Sequence, residues 1–146
     1  MAAYTHEYDS VVDTIITSCA VCKAVEVTPN MVTPRVYQTD NAMWDTGATC
    51  CLISQKLVDE LGLKPIGTSE ISQATVTEES NVYLVHVGLP NGQVVLNVEA
   101  LGTPGNDYDF VIGMDIIGQG DFAFTNKDGR SVFSFRRPST EHIILK

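Results

Sequence analysis

Asp45 lies between two apolar segments, Ala42–Trp44 before it and Leu52–Ile53 after it. A carboxylate with such neighbours should be partly desolvated, and a desolvated carboxylate is paired, protonated or used in chemistry. Gly47 allows a substrate or another backbone to come close, and Thr46 offers a short hydroxyl for a local hydrogen bond. The candidate for chemistry is therefore the run Asp45, Thr46, Gly47 and Ala48.

Asp45 also has an interpretation without chemistry. An Asp at the end of a strand often accepts a hydrogen bond from the backbone of its own turn, and this role needs no substrate. The tetrapeptide alone leaves both interpretations open.

Composition restricts the class of protein. The chain has 146 residues, of which 44% are hydrophobic and 18% charged, so we expect one ordered domain over residues 1–146. A net charge of -9 without a basic stripe argues against nucleic acid as a partner. Neither a bilayer-spanning run nor a signal peptide is present, so we expect a cytoplasmic protein with no membrane partner.

The cysteines form two close pairs, Cys19 with Cys22 and Cys50 with Cys51. A C-x-x-C is half of a zinc or redox motif, and the second half is missing. Adjacent cysteines on a strand would point to opposite faces, so Cys50 and Cys51 do not suit one tetrahedral site. The pattern predicts small buried thiols, with no metal and no other cofactor.

Local signals place several elements around Asp45. Ser54 can cap a short helix that stops at Gly62, because Leu57, Val58 and Leu61 share one face. Asn91-Gly92 predicts a hairpin between residues 81–89 and 93–101. A second hairpin is predicted around residues 126–129, with one more strand at 142–145. Residues 1–10 are polar and mixed, which predicts a flexible N-terminal arm.

Three features together resemble a retropepsin-like aspartic protease: Asp45-Thr46-Gly47-Ala48, the helix after Ser54, and Val111-Ile112-Gly113 about sixty-five residues after Asp45. The resemblance covers roughly residues 20–136. It implies a mainly β fold, a closed barrel-like acid protease domain with one or two short helices.

The resemblance also implies roles for individual residues. Asp45 would be catalytic, supported in its loop by Thr46, Gly47 and Ala48, while Val111, Ile112 and Gly113 would pack beneath that loop. A hairpin flap at residues 72–82, with its tip near 77–80, would cover a cleft that holds an extended peptide substrate. The flap and cleft residues would be Ala74, Thr75, Val76, Thr77 and Glu78.

The chain contains no second Asp-Thr-Gly or Asp-Ser-Gly. The family's chemistry uses two carboxylates that share a proton, so the resemblance implies a homodimer in which each copy supplies one Asp45. No metal takes part.

Two departures from the family pattern favour a different function. The expected flap tip carries Glu78-Glu79 and no glycine, and the bulky Trp44 precedes Asp45. We expect the Trp44 ring to pack in the core. The alternative is a non-catalytic peptide-binding or assembly module of the same fold, which holds an extended peptide as an added strand. An actin-like nucleotide loop is disfavoured, since the second phosphate loop and the length are missing.

Overall fold

The computed structural model describes residues 2–73, 76–105 and 107–146, with the backbone alone at 71–73 and 76–78. Within these residues the strands are β1 (Ala2–Glu7), β2 (Ile15–Lys23), β3 (Val36–Trp44), β4 (Leu52–Ser54), β5 (Gly67–Gln73), β6 (Val76–Gly88), β7 (Val94–Thr103), β8 (Phe110–Ile112), β9 (Asp121–Thr125) and β10 (Val132–Arg137). The α-helices are α1 (Gln55–Leu61) and α2 (Met114–Ile117), and a 3-10 turn spans Lys127–Gly129.

Six strands close into a barrel in the order β2-β3-β8-β4-β7-β6, and the pairing of β6 with β2 completes the ring. The strand β5 continues the sheet beyond β6. Alternate side chains of β2 point into the barrel, as do Val95, Val98 and Ala100 of β7, and their apolar surface leaves water. The predicted fold class, a mainly β closed barrel with short helices, is confirmed.

The helix and hairpin with strong local signals form as predicted. Ser54 accepts a hydrogen bond from the Leu57 backbone N–H, and Gly62 ends α1 in the left-handed region at φ 61°. The β6–β7 turn likewise has Gly92 at φ 84°. In the described residues, no helix is long and apolar enough to cross a membrane.

The N-terminal segment forms a strand, so the predicted flexible arm at residues 1–10 is wrong over Ala2–Glu7. This strand, β1, pairs antiparallel with β10, which pairs in turn with β9. Tyr4 faces inward, with its ring edge on Phe133, and the Thr5 and Ser134 hydroxyls are hydrogen-bonded at 2.8 Å. The segment looked unstructured because its stabilising partner lies at the other end of the chain.

The segment after β10 is held by Asp121. This carboxylate accepts hydrogen bonds from the Ser139 hydroxyl, from the Thr140 backbone N–H at 2.9 Å and from Arg136 Nε at 2.7 Å. These bonds hold the pKa of Asp121 well below its usual value, and the bond from Ser139 has the largest effect. The predicted strand at residues 142–145 is wrong, because those residues have no regular structure.

The Trp44 ring packs in the core, as predicted. It is 4% exposed, its centroid lies 4.9 Å from those of both Phe133 and Phe135, and Nε1 donates to the Thr17 hydroxyl at 2.8 Å. The ring therefore joins the barrel to the sheet of β1, β10 and β9.

We expect Asp121 to stabilise the fold at neutral pH and to lose this effect in acid. Since its pKa is lower in the folded chain, the unfolded chain binds the proton first as the pH falls, so stability is lost from the ordinary carboxyl pKa downward. Urea denaturation of the wild type and Asp121→Asn should give a difference in unfolding free energy that is constant near neutral pH and shrinks in acid. A pH-independent difference for Asp121→Asn would contradict the prediction.

Replacing Trp44 by Phe should lower the unfolding free energy by about 1–3 kcal/mol, because the smaller ring leaves space and the buried Thr17 hydroxyl loses its donor. Denaturant titration measures the change. Val32→Ala is the control, since Val32 is 90% exposed and its truncation should change stability by less than about 0.5 kcal/mol. A Trp44→Phe protein of wild-type stability would show that the contact contributes little.

Candidate active site

Asp45 lies at the point where β3 leaves the barrel. Trp44 is the last residue of β3 and pairs with Ile112 of the parallel strand β8. The Asp45 backbone N–H donates to the Ile112 carbonyl at 2.9 Å. The position of Asp45 is thus set by the backbone of β8, a buried strand.

The Asp45 carboxylate is half-buried, and its Oδ1 accepts from the Gly47 backbone N–H at 2.8 Å. The Asp45 carbonyl accepts from the Ala48 N–H at 3.2 Å, so the residues form a tight turn. Thr46 and Gly47 are exposed at its tip. Asp45 therefore accepts the hydrogen bond from its own turn that is expected of a purely structural Asp. Its carboxylate also remains accessible to a ligand.

Gly113 lies directly against the loop formed by residues 45–51. A Cβ atom at Gly113 would be 2.6 Å from the carbonyl carbon and oxygen of Cys50 and 2.9 Å from the Ala48 carbonyl oxygen. The next residue, Met114, donates its backbone N–H to that Ala48 oxygen at 2.8 Å. Val111 and Ile112 precede Gly113 in the buried strand β8. The structure thus brings the run 111–113 against the loop that carries Asp45.

Asp115 holds the far end of the same loop. Its carboxylate accepts from the Cys51 backbone N–H at 3.0 Å and from the Cys51 thiol at 3.2 Å. Burial, and after it the charge of Asp115, raises the pKa of the Cys51 thiol, which therefore keeps its proton and acts as a donor. This contact was not predicted from the sequence. The available signal was the position of Asp115 two residues after Gly113.

All four cysteines are free thiols. Cys19 and Cys51 are buried, as predicted, whereas Cys22 and Cys50 are half-buried. Burial, with a smaller effect of Asp109, raises the pKa of Cys19 to about 12. Across residues 2–73, 76–105 and 107–146, no group of three His, Cys, Asp or Glu side chains could hold a metal ion.

The predicted flap corresponds to the β5–β6 hairpin, but its tip is not at residues 77–80. Pairing continues to Gln73 opposite Val76, so Thr77–Ser80 belong to the strand β6. The sequence of that stretch predicts a turn, because it is polar and lacks the apolar alternation of a half-buried strand. Of the predicted cleft residues, Val76, Thr77 and Glu78 lie in β6, and Ala74 and Thr75 lie outside the described residues.

The substitution Gly113→Ala tests the packing beneath the loop. The new methyl group would overlap backbone atoms, which cannot rotate away, so we expect a loss of about 1–3 kcal/mol in unfolding free energy. Gly67→Ala is the matched control, because a Cβ at Gly67 meets nothing within 4 Å. Thermal or urea denaturation compares the two variants, and equal stabilities would show that the loop adjusts freely.

Residues 38–119 of the chain match the family described as "gag-polyprotein putative aspartyl protease". Among solved structures, a retropepsin-like aspartic protease from Rickettsia conorii is similar at TM-score 0.53 and 13% identity, covering 90% of this chain and 91% of that one. The simian foamy virus (mac) protease gives TM-score 0.46 at 18% identity, covering 71% and 92%. No curated protein sequence matches the chain. The first structure supports the fold, and the family match includes the loop of Asp45 and the run 111–113.

Proposed function

Because the chain belongs to the retropepsin-like family of gag-polyprotein aspartyl proteases, we propose that it is an aspartic endopeptidase with Asp45 as its catalytic acid. The observation that carries the proposal is the setting of Asp45. Its carboxylate is half-buried and accessible, in a turn held between β8 and Gly113. A reacting group needs this combination of fixed position and access.

The active form is a homodimer. One chain supplies a single Asp-Thr-Gly, whereas the chemistry requires two carboxylates that share a proton. A twofold axis at the loop would place the two Asp45 residues side by side. The exposure of Thr46 and Gly47 in the single chain supports this arrangement, since the same loop of a second copy would meet these residues first.

The reaction follows from the shared proton. The ionised Asp45 accepts a proton from water as the water oxygen attacks the peptide carbonyl carbon, and the protonated Asp45 of the other copy donates to the carbonyl oxygen. The tetrahedral intermediate then collapses: the C–N bond breaks, the carboxyl group that took the water proton passes it to the leaving nitrogen, and a hydroxyl of the intermediate returns a proton to the other carboxylate. Neither carboxylate forms a bond to the substrate.

The substrate is a peptide in extended conformation, bound between the loop of Asp45 and the β5–β6 hairpin. Gly47 has no side chain to obstruct a peptide backbone at the loop. Among the described residues, β5 is an edge strand that pairs only with β6, so its other edge is open to a further strand. The same open edge supports the second candidate, a module that binds peptides without cleaving them.

Asp45→Asn should lower the rate of peptide cleavage about a thousand-fold, since it removes general acid–base catalysis. The measurement is mass spectrometry of a diverse peptide pool incubated with each protein from acid to neutral pH. Asp40→Asn, an exposed acid elsewhere on β3, is the matched control. Cleavage that survives in Asp45→Asn would contradict the assignment, and peptide binding by a wild type that cleaves nothing would favour the second candidate.

Mixing the wild type with Asp45→Asn tests the shared site. After exchange of subunits at equal amounts, only about a quarter of randomly formed dimers carry two Asp45 residues, so the activity per wild-type chain should fall to about half. Sedimentation velocity on the same samples reports the dimer. Activity per wild-type chain that is unchanged by mixing would show that one chain is sufficient.

A further inference from the structure

A cavity of about 450 Å³ opens between Cys50, at the end of the loop of Asp45, and the base of the β5–β6 hairpin. Its floor is the outer face of β6 and β7, where Val82 pairs with Leu101. The next residues in these strands, Tyr83 and Ala100, are buried in the barrel. The cavity therefore belongs to the outer surface, next to the candidate active site.

A second cavity of about 470 Å³ lies between the same face of the barrel and α2, with Ile116 in its wall. Both cavities are lined by Cys50 and Glu99. These two residues therefore lie where the cavities meet.

The walls of the first cavity combine apolar surface with one carboxylate. Val82 and Leu101 are half-buried and apolar, and Glu99 is exposed. Burial and the charge of Asp115 raise the pKa of the Cys50 thiol, so this thiol in the cavity wall stays neutral. None of the four ion pairs between described residues involves Glu99. Its carboxylate is thus the charged acceptor that this cavity offers to a ligand.

The stretch of sequence that contains Glu99 is acidic. Residues 65–126 contain neither Lys nor Arg, and this stretch supplies the hairpin, β7 and α2. Its acidic residues are Glu70, Glu78, Glu79, Glu99, Asp107, Asp109, Asp115 and Asp121. The charges of this stretch favour a positively charged ligand over an acidic one.

We propose that Glu99 determines substrate specificity, and that the cavity beside it accepts the long basic side chain, Lys or Arg, of a bound peptide. The methylene groups pack against Val82 and Leu101, and the charged end donates to the Glu99 carboxylate. The inference rests on the proposed function, because it places the peptide along the cleft next to Asp45.

The test uses decapeptides of one sequence in which each position in turn carries Lys, norleucine or Glu. At one position the wild type should cleave the Lys peptide with a kcat/KM about five-fold above that for norleucine, as expected for an exposed ion pair. Glu99→Gln should lower the ratio of kcat/KM for the Lys peptide to that for the norleucine peptide to about one, and Glu99→Lys should favour the Glu peptide. Glu70→Gln is the matched control, since Glu70 is an exposed acid on β5 of the neighbouring hairpin and lines neither cavity.

Binding of the same peptides to Asp45→Asn, measured by fluorescence anisotropy, separates the two proposals. Cleavage by the wild type without a preference that depends on Glu99 would overturn the specificity inference and leave the endopeptidase intact. A further outcome is that the wild type cleaves no peptide while Asp45→Asn binds the Lys peptide more tightly than the others, in a way that depends on Glu99. That result would support the specificity inference and overturn the proposal of an endopeptidase. If peptides are neither cleaved nor bound, both proposals fail.

Discussion

The close backbone contact between Gly113 and residues 48–50 is the constraint on which the candidate site depends. There is no room for a Cβ atom at this contact, so β8 can turn into α2 beneath the loop only at a glycine. Two hydrogen bonds reinforce the contact. The Met114 N–H donates to the Ala48 carbonyl, and the Cys51 N–H donates to the Asp115 carboxylate. The carboxylate of Asp45 is therefore positioned mainly by backbone atoms, which hold a group more rigidly than long side chains do.

The strand β3 connects this loop to the rest of the fold. Its last residue, Trp44, contacts Phe133 and Phe135 of β10, and the following residue is Asp45. Trp44 and Asp45 thus connect three parts of the fold, which are the barrel, the sheet of β1, β10 and β9, and the loop. Trp44 first looked like a departure from the family pattern, and its position instead gives the loop a buried support.

The sequence was sufficient where the determining signals were local. The capping residues Ser54 and Gly62 predicted α1, Asn91-Gly92 predicted the β6–β7 hairpin, and four consecutive residues identified the loop of Asp45. The strand β1 could not be predicted in this way, because its pairing partner is more than a hundred residues distant. The hydrogen bonds from Cys51 to Asp115 also depend on the fold, and so do the cavities that Cys50 and Glu99 line together, since these residues are remote in the chain.

The pairing of β1 with β10 also has a consequence for how the protein folds. Ala2 pairs with Arg137, so this contact joins residues that are 135 positions apart in the sequence. Contacts between such distant residues cost the most chain entropy, and proteins that depend on them fold slowly. We therefore expect the barrel, whose hairpins are local, to assemble before β1 docks. Until then the edge of β10 that β1 covers is unprotected, and an exposed strand edge is where chains associate incorrectly.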